Sequence, residues 1–599
     1  MRGRCGSRSA RSSLGALLVA LGALASLAGS PLHAQENERR LVLRIGTTED
    51  TSTLNPFAEQ DPVSAEVTML GYDMLVRPSP IDSAPVGGLA VSWDTSLDGT
   101  TWTFHLDPNA TWHDGEPVTA GDVEYTFERV LREQIAPYVD HVRHVEAIEV
   151  ADDSTIIMRT REPAQMLALF VPIVPEHVWE DVSIDETLTF ENSPSVGSGP
   201  FRATGVSEDG VIRMTRAETT ESPTQVDEIV FRPYESQDAL ASALRDGAID
   251  YATGLGVEQF RELGAGTFIR GVSAPDPGFT NLGFNLYEPD AEAIEDLNAP
   301  EFSTGHPALL DPRVRRAINW AIDESAIAEE VLSGEGTVGT TIIPPPLTRY
   351  HLEIPAEERM HFDLEHAARL LDRAGWTDSD GDGTVDQEGE ELQLRLAARL
   401  ASADTVEAAS LVERSLADVG IGVAVETVSD DRLTDDIYSA DYDMFIWGWA
   451  SGTDPDYLLS VLTCDQRMGR SDTFFCDPRY DRLYGEQKLE WSIPERAAIV
   501  ERMQEIVYRA APYVLLYYDN QLEAYRTDRV TGWTAAPADA VPGQIAFNGY
   551  RASYENLRLL PGAARANDSS TGRSYVPLVV GLTALVAVLL LGLVVRLRY

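Results

Sequence analysis

Positive charge is scarce in this sequence of 599 residues. Only 47 lysines and arginines stand against 96 aspartates and glutamates, for a formal net charge of −49. Nucleic-acid binding needs a basic face, so this composition argues against nucleic acid as a partner, and it also disfavours docking on anionic lipid. The acidic residues are spread along the chain and form no tail, which is typical of a solvated acidic surface.

Enzyme motifs are also missing from the sequence. It contains no H-E-x-x-H, no G-x-S-x-G and no phosphate-binding Walker loop. None of its ten histidines clusters with a cysteine or a serine along the chain. We therefore expect a protein that is not an enzyme and that carries no resident cofactor.

Cysteine is rare, with three in the whole chain. Cys5 lies in the N-terminal targeting segment, whereas Cys464 and Cys476 lie close together in TCDQRMGRSDTFFCD. Two cysteines in an exported chain most simply pair, so we predict a disulfide between them. Zinc is the alternative, but no histidine or further cysteine stands at ligand spacing.

Both ends of the chain carry apolar segments that predict export and anchoring. Met1–Ala34 has an arginine-rich start and an apolar core, and it predicts a cleaved signal peptide. Val576–Val595 carries no charge and is long enough to cross a bilayer, which predicts one C-terminal transmembrane helix. Arginines in the tail 596–599 favour a cytoplasmic location for it, and 561–575 is a polar tether. We expect the body at the cell envelope, on the periplasmic or extracellular side and anchored in the cytoplasmic membrane.

Strand-like and helical segments alternate through the body, which is typical of α/β domains. Thr119 begins a helix with a capping-box variant at Asp122. Asp311–Leu332 predicts one long helix, capped by Asp311 and ended near Gly334. Asp363–Ala374 predicts a second helix.

The stretch DYDMFIWGWASGTDPDYLL contains the chain's most distinctive aromatic pattern. Trp447 and Trp449 are two residues apart on a predicted strand, so their rings point to the same face. A loop of small and acidic residues follows. Apolar rings beside a few polar groups suit a small-ligand pocket. The alternative is a buried strand with one half-exposed aromatic edge.

An acidic loop, DSDGDGTVD, resembles a calcium-binding loop in its spacing. The candidate ligands are Asp378, Asp380, Asp382 and Asp386, and the chelating glutamate of the twelfth position is replaced by Gly389. Close carboxylates repel unless a cation neutralises them. A structural calcium and a plain acidic hairpin turn both remain open.

Several blocks together resemble the family 5 extracellular solute-binding proteins of ABC transporters, the peptide- and nickel-binding group. The most specific block is TWTFHLDPNATWHDGEPVTAGDVEYTFERV, and further blocks follow in the family's order: GSGPFR, NLGFN, DPRVRRAINWAIDESAI, LLDRAGWTDSDGDG and YDMFIWGWASGTDPD. The resemblance covers about Leu41 to Leu560.

The resemblance implies two α/β lobes of the type II periplasmic-binding-protein kind, joined by a hinge, with a domain inserted near the N-terminus. The first lobe would be discontinuous and the second continuous. The implied boundaries are 35–87, 196–278 and 525–560 for the first lobe, 88–195 for the insert, and 279–524 for the second lobe.

In peptide-binding relatives, a glycine-tryptophan pair and the loop after it face the ligand, and a loop aspartate pairs with the ligand's amino group. Gly448 and Trp449 match the pair, but the aspartate's position falls at Gly452. Asp454 and Asp456 match the Asp-Pro-Asp turn that follows. The ligand contacts predicted on this basis are Trp447, Gly448, Trp449, Gly452, Asp454, Asp456 and Asn55.

The resemblance implies the substrate-binding subunit of an ABC importer, which captures oligopeptides or dipeptides by lobe closure. Its partners would be two permease subunits and two ATPases. Because the expected amine-binding aspartate is missing, a nickel chelate or an oligosaccharide stays open as the solute. A membrane-anchored sensor with the same fold is the other alternative.

Overall fold

The structure is a computed structural model of the whole chain. It describes residues 41–49, 53–58, 61–79, 85–163, 171–218, 224–264, 266–288, 305–450, 454–467, 469–533 and 552–560. The predicted signal peptide, tether, transmembrane helix and tail lie outside the described residues, as does Gly452. Within the described part of the chain, no helix is long and apolar enough to cross a membrane.

One strand of 14 residues, Tyr513–Arg526, runs through both lobes, and we call it the shared strand. Its first half pairs antiparallel with Gly278–Phe284, and its second half with Ile269–Pro275. These two partners follow each other in sequence, so the chain passes from one lobe to the other beside the shared strand. We call this place, around Asp276 and Asp519, the crossing. There the Asp276 amide donates to the Asp519 carbonyl at 2.9 Å. The shared strand is buried on either side of Asp519–Gln521 but half-buried there. The boundary predicted after residue 524 lies within the shared strand.

The shared strand belongs to a sheet of twelve strands. Most of them form a continuous path, and two more pair with the shared strand from the side. In order, the path is Gly422–Val428, Gln393–Arg399, Met444–Ala450, Gly278–Phe284, Tyr513–Arg526, Tyr251–Ala252, Val42–Thr47, Glu228–Pro233, Ile212–Arg216 and Phe201–Val206; the side strands are Ile269–Pro275 and Gly336–Val338.

The first lobe is built around Val42–Thr47, which pairs in parallel with strands on both sides. Its alternating apolar residues Leu43 and Ile45 are fully buried, as a central strand requires. Its other elements are the helices Pro62–Gly71, Gln237–Asp246, Val257–Gly264 and Ala552–Glu555, and the small pairs Val76–Pro78 with Pro85–Gly87 and Val530–Thr531 with Arg558–Leu559.

A separate four-stranded antiparallel sheet follows the start of the first lobe. Its order is Ala90–Thr95, Thr101–Leu106, Thr155–Thr160 and Val145–Asp152. Helix Ala120–Glu133 packs on it, and the predicted capping box between Thr119 and Asp122 is present. The region also contains the helices Ala136–Val142, Glu176–Trp179 and the short 3₁₀ helix Ile184–Glu186.

The second lobe places helices on both faces of its sheet. One buried cluster includes Leu282 and Ile446, and the opposite one includes Phe279 and Leu515. Its helices are Pro312–Ala321, Glu324–Leu332, Leu364–Ala374, Ala403–Ala417, Asp430–Tyr438, Asp456–Ser460, Pro478–Leu489 and Ile493–Ala510, with 3₁₀ turns at Pro307–Leu310 and Cys464–Gln466; Asp386–Gln387 pairs with Glu390–Glu391 as a small hairpin.

The prediction of one helix over Asp311–Leu332 is wrong, because the chain breaks at Ile322–Asp323. Ile322 adopts an extended backbone, and the Asp323 carboxylate caps a new helix by accepting from the Ala326 amide at 3.0 Å. Aspartate is a strong N-cap, and that local bond competes with helix continuation. The second helix ends at the left-handed residue Ser333, one residue before the predicted Gly334.

Candidate functional site

The carboxyl ends of the parallel strands in both lobes point toward the crossing. In the first lobe Tyr251–Ala252 runs toward it along the shared strand, and in the second lobe Ala450 is paired with Gly278 beside it. Ligands of open α/β sheets bind at the carboxyl ends of their strands. The groups around this crossing are therefore the candidate functional site.

Met444–Ala450, which we call the aromatic strand, delivers two tryptophan rings to this edge. Trp447 and Trp449 lie on the same face as predicted, with ring centroids 6.3 Å apart and planes inclined by 52°. Both rings are half-buried, whereas the intervening Gly448 and the terminal Ala450 are exposed. The strand thus loses its burial toward the crossing, as a strand that ends at a ligand site would.

The disulfide loop holds the position of Trp449. The predicted bond between Cys464 and Cys476 is present. Asp472 lies inside the loop that it closes, and its carboxylate accepts a hydrogen bond from the Trp449 indole at 2.8 Å and another from the Tyr513 hydroxyl. Burial raises the pKa of Asp472 to about 6, although both hydrogen bonds lower it. Sequence reasoning missed Asp472, since no local pattern marks it.

Asp454 is already paired within the second lobe. Its carboxylate forms a two-bond pair with the Arg496 guanidinium, at 2.5 and 2.8 Å, and the two side chains are 14% and 6% exposed. Burial alone would raise the pKa of Asp454, but the Arg496 charge and hydrogen bonds outweigh it and lower the pKa. The structure therefore leaves no unpaired charge on Asp454 for a ligand.

Asp456 also faces neighbouring helices. One carboxylate oxygen accepts from the Gln487 amide at 2.7 Å, and the other lies 3.9 Å from the Lys488 ammonium. Its contact with a ligand stays a prediction.

Asn55 lies in the interior. It is 1% exposed, its amide nitrogen donates to the carbonyls of Thr187 and Phe190, and its oxygen accepts from the Phe57 amide. These bonds fasten the turn after the first strand to the region that follows the four-stranded sheet. The contact of Asn55 with a ligand stays a prediction.

Two carboxylates at the crossing were missed by the sequence reasoning. Burial raises the pKa of Asp276, and burial together with the nearby charges of Asp276 and Asp404 raises the pKa of Asp519 to about 7. Thr280 donates to Asp519 at 3.2 Å. Among the described residues, neither Asp276 nor Asp519 forms an ion pair. The described residues thus provide these two acidic groups with no compensating cation.

Asp276 lies directly beside the end of the aromatic strand. A Cβ built on Gly278 would stand 3.1 Å from the Asp276 Oδ2 and 2.8 Å from the Trp449 carbonyl. Glycine at this position therefore lets the carboxylate approach the strand end, from which the loop with Gly452 departs.

Three of the four predicted calcium ligands in the acidic loop lie close together. Oxygen atoms of Asp378, Asp380 and Asp382 lie within 4.8 Å of one another, and all three residues are exposed. Asp386 is not in this group, because it accepts from the amide and hydroxyl of Ser379 at 2.9 and 2.7 Å. Asp378 accepts from the amides of Gly381 and Gly383, as in a self-bonded turn. Calcium binding by the four predicted ligands stays a prediction.

Two α/β lobes joined by strand crossings, with aromatic and acidic groups at the crossing, define the class of hinged solute-binding proteins. The sequence model described as bacterial extracellular solute-binding proteins, family 5 Middle, matches residues 84–469. The chain belongs to this family, and it is a solute-binding protein.

Relatives and solved structures agree with this assignment. The oligopeptide-binding protein AppA of Bacillus subtilis is 22% identical over 499 residues, which cover 80% of this chain and 86% of AppA. A putative ABC transporter peptide-binding protein of Brucella ovis is 24% identical over 393 residues, covering 62% of this chain and 67% of that protein.

Among solved structures, AppA of Bacillus subtilis in complex with a nonapeptide matches with a TM-score of 0.66 and 19% identity, covering 87% of this chain and 100% of that one. NikZ from Campylobacter jejuni in complex with Ni(L-His) matches with a TM-score of 0.68 and 20% identity, covering 86% of this chain and 99% of that one. At these identities the likeness establishes the two-lobed fold.

Proposed function

We propose that this protein is the substrate-binding subunit of an ABC importer and that it captures oligopeptides or dipeptides outside the cytoplasmic membrane. The observation that carries the proposal is the aromatic strand, which ends half-exposed at the crossing between two hinged lobes. Relatives named for peptide binding, one of them in an ABC transporter, support the same solute class.

The exposed end of the aromatic strand suits an extended peptide. Backbone hydrogen bonds along a strand end ignore side-chain identity and so allow broad specificity, while the rings of Trp447 and Trp449 cover apolar side chains. Lobe closure about the crossing then encloses the peptide. The permease and ATPase subunits would receive it.

We infer that the ligand's ammonium group binds between Asp276 and Asp519. A buried cation needs a counter-charge. Gly452 supplies no carboxylate, and the carboxylate of Asp454 is paired with Arg496. Asp276 lies beside the end of the strand that carries Trp449, and the ionised forms of the two carboxylates supply the negative charge that a free amino terminus needs.

The apolar segment Val576–Val595 supports a membrane tether. We propose that it anchors the exported body in the cytoplasmic membrane after removal of Met1–Ala34, and that 561–575 spaces the body from the bilayer. A tethered binder keeps a high local concentration near its permease.

Native mass spectrometry of the full chain, purified in mild detergent without refolding, tests the proposed solute. A set of bound peptides that is lost on denaturation is expected, and its spread of lengths reports how open the site is. A clean ligand-free mass, or a single non-peptide adduct, would contradict peptide capture. A nickel chelate is the second candidate, because Gly452 stands at the position expected to bind the amino group.

A further inference from the structure

A second pocket lies within the second lobe, away from the crossing. Its walls come from the helix junction at Asn319 and Glu324, the segment after Gly336–Val338, the helix residue Tyr508, and Leu515 of the shared strand. Its cavity volume is about 30 Å³, which suits a very small ligand. Leu515 precedes Asp519 by four strand residues, which is about 13 Å at about 3.3 Å per residue. Asp276, Asp519 and the two tryptophans of the aromatic strand are not among its lining residues.

One wall of the pocket, the segment that contains Gly339, lies very close to the backbone of the shared strand. A Cβ on Gly339 would stand 2.7 Å from the Leu515 carbonyl oxygen, so only glycine lets the segment lie this close to the shared strand. The Tyr518 hydroxyl then fastens the segment, because it accepts from the Thr341 amide at 2.8 Å and donates to the Thr341 carbonyl at 2.6 Å. The walls are thus held by packing and hydrogen bonds on several elements.

Two buried acceptors line the pocket. Asn319 is 6% exposed, and its Oδ1 accepts no hydrogen bond from the described part of the chain. Glu324 is 8% exposed and forms no ion pair with any described residue. Buried polar groups of native proteins have partners in the great majority of cases. An unpartnered amide oxygen and an unpaired carboxylate in one pocket call for a ligand that donates hydrogen bonds and carries positive charge.

The other charged groups around the pocket are compatible with such a ligand. Arg359 lines the pocket, but its guanidinium is bound to Glu353 at 2.7 Å, near the mouth. Asp323 adjoins Glu324 and caps the helix. The Tyr508 hydroxyl accepts from the Met360 amide and is also within electrostatic range of Glu324 and Arg359. Among the described residues, no cation is therefore paired with Glu324 at its end of the pocket.

We propose that this pocket is a second binding site, for a small ligand that carries a primary ammonium group. The ammonium group donates to the carboxylate of Glu324 and to the Oδ1 of Asn319. A simple amine and a free amino acid share this group; in an amino acid the carboxylate would also reach the Nε of Arg359, which has no hydrogen-bond partner among the described residues.

Proton release should accompany binding. Burial is the main cause that raises the pKa of Glu324 to about 8, so the carboxyl is protonated in the ligand-free protein at neutral pH. An ammonium ligand favours the ionised form. Apparent affinity should therefore rise by about tenfold per pH unit as the pH approaches the pKa from below.

Thermal unfolding of the full chain, followed with methylammonium chloride and with tetramethylammonium chloride, tests the proposal. The two ions carry the same charge, but only methylammonium can donate hydrogen bonds. We expect the melting temperature to rise with methylammonium concentration and to rise less with tetramethylammonium. Equal responses to the two ions would overturn the proposal.

Variants of the two lining acceptors test whether methylammonium binds in this pocket. Glu324→Gln keeps the shape of the side chain and should weaken apparent methylammonium affinity by about ten- to a hundredfold and flatten its pH dependence. Glu329→Gln, an exposed change on the same helix, should leave both unchanged. Asn319→Ala is the second variant, and should weaken binding by up to about tenfold. An unaltered response in both Glu324→Gln and Asn319→Ala would refute the site.

Free glycine, added as a ligand, distinguishes a free amino acid from a simple amine as the source of the ammonium group. Tighter binding of glycine than of methylammonium assigns the pocket to amino acids, and tighter binding of methylammonium assigns it to simple amines. The pocket lies within one lobe, so these results do not depend on the solute at the crossing. Peptides found by mass spectrometry without any methylammonium response would leave the proposed function standing and remove this site.

Discussion

Asp454→Asn is expected to destabilise the second lobe strongly. The substitution removes the charge that neutralises Arg496, whose side chain is 6% exposed. Arg496 would retain its hydrogen bonds to the Gln487 oxygen at 2.9 Å and to the Tyr350 hydroxyl at 3.3 Å, but neither of these neutral groups replaces the lost counter-charge. Breaking one side of a buried ion pair costs about 3–5 kcal/mol, against about 0.2–1 kcal/mol for an exposed pair.

Urea unfolding of the full chain, followed by tryptophan fluorescence, measures this cost. Asp431→Asn is the matched control, because Asp431 is exposed, and it should change the free energy of unfolding by no more than about 0.5 kcal/mol. A loss below about 1 kcal/mol in Asp454→Asn would show that the pair behaves as an exposed one. Loss of bound solute without loss of stability would instead make Asp454 a ligand contact, as the sequence predicted.

The pH dependence of this pair has a definite sign. Because the pKa of Asp454 is lowered in the folded protein, its stabilisation is present above the unfolded-state pKa of about 4. It is lost as the pH falls through the folded-state pKa. The difference in stability between the parent and Asp454→Asn should therefore shrink on acidification, and a difference that grew would contradict the assignment.

Four further predictions concern the crossing and its support. Burial raises the pKa of Asp519 to about 7, so ionisation of this group opposes folding as the pH rises above its unfolded-state pKa. At alkaline pH, Asp519→Asn should therefore melt at a higher temperature than the parent. The same variant should bind peptides with a free amino terminus more weakly. Peptide affinity of the parent, measured by calorimetry, should fall below about pH 7, and N-acetylated peptides, as the control, should show no such fall. Trp449→Phe keeps an aromatic ring but removes the indole N–H that donates to the buried carboxylate of Asp472. The free energy of unfolding, measured in urea, should fall by about 1–3 kcal/mol. An unchanged value would show that the hydrogen bond from the indole to Asp472 is not formed. Reduction of Cys464–Cys476, which are separated by 12 residues, should cost about 3 kcal/mol, and a double-serine variant should match the reduced parent; equal stability of oxidised and reduced protein would contradict the expected constraint.

Features that depend on neighbouring residues were predictable from the sequence. The capping box at Thr119, the helix that follows Asp363 and the paired tryptophans are all encoded within a few positions, and the structure contains them. The break at Asp323 was missed, although an N-cap residue stands there, because the apolar spacing continues across it. The fold of the two lobes came from the resemblance to a family and not from periodicity.

The groups that define the crossing could not be found from local patterns. Asp276 and Asp519 are 243 positions apart in the sequence and meet only because the shared strand pairs with residues of both lobes. Asp472 reaches Trp449 through a disulfide loop that follows the aromatic strand. Local reasoning placed most of the predicted ligand contacts, Asp454 among them, in the aromatic strand and the loop that follows it.

The location of these carboxylates has a consequence for closure. A carboxylate on the loop after the aromatic strand would belong to the second lobe alone, whereas Asp276 and Asp519 lie on the segments that connect the two lobes. Like charges at such a connection repel, and an ammonium group bound between them removes that repulsion. A ligand shifts a conformational equilibrium only by its difference in affinity between the two states. In the proposed binding mode, a free amino terminus therefore acts at the point where the lobes hinge. An N-acetylated peptide of equal length should close the lobes less completely. Small-angle scattering of the two complexes would measure this difference in closure.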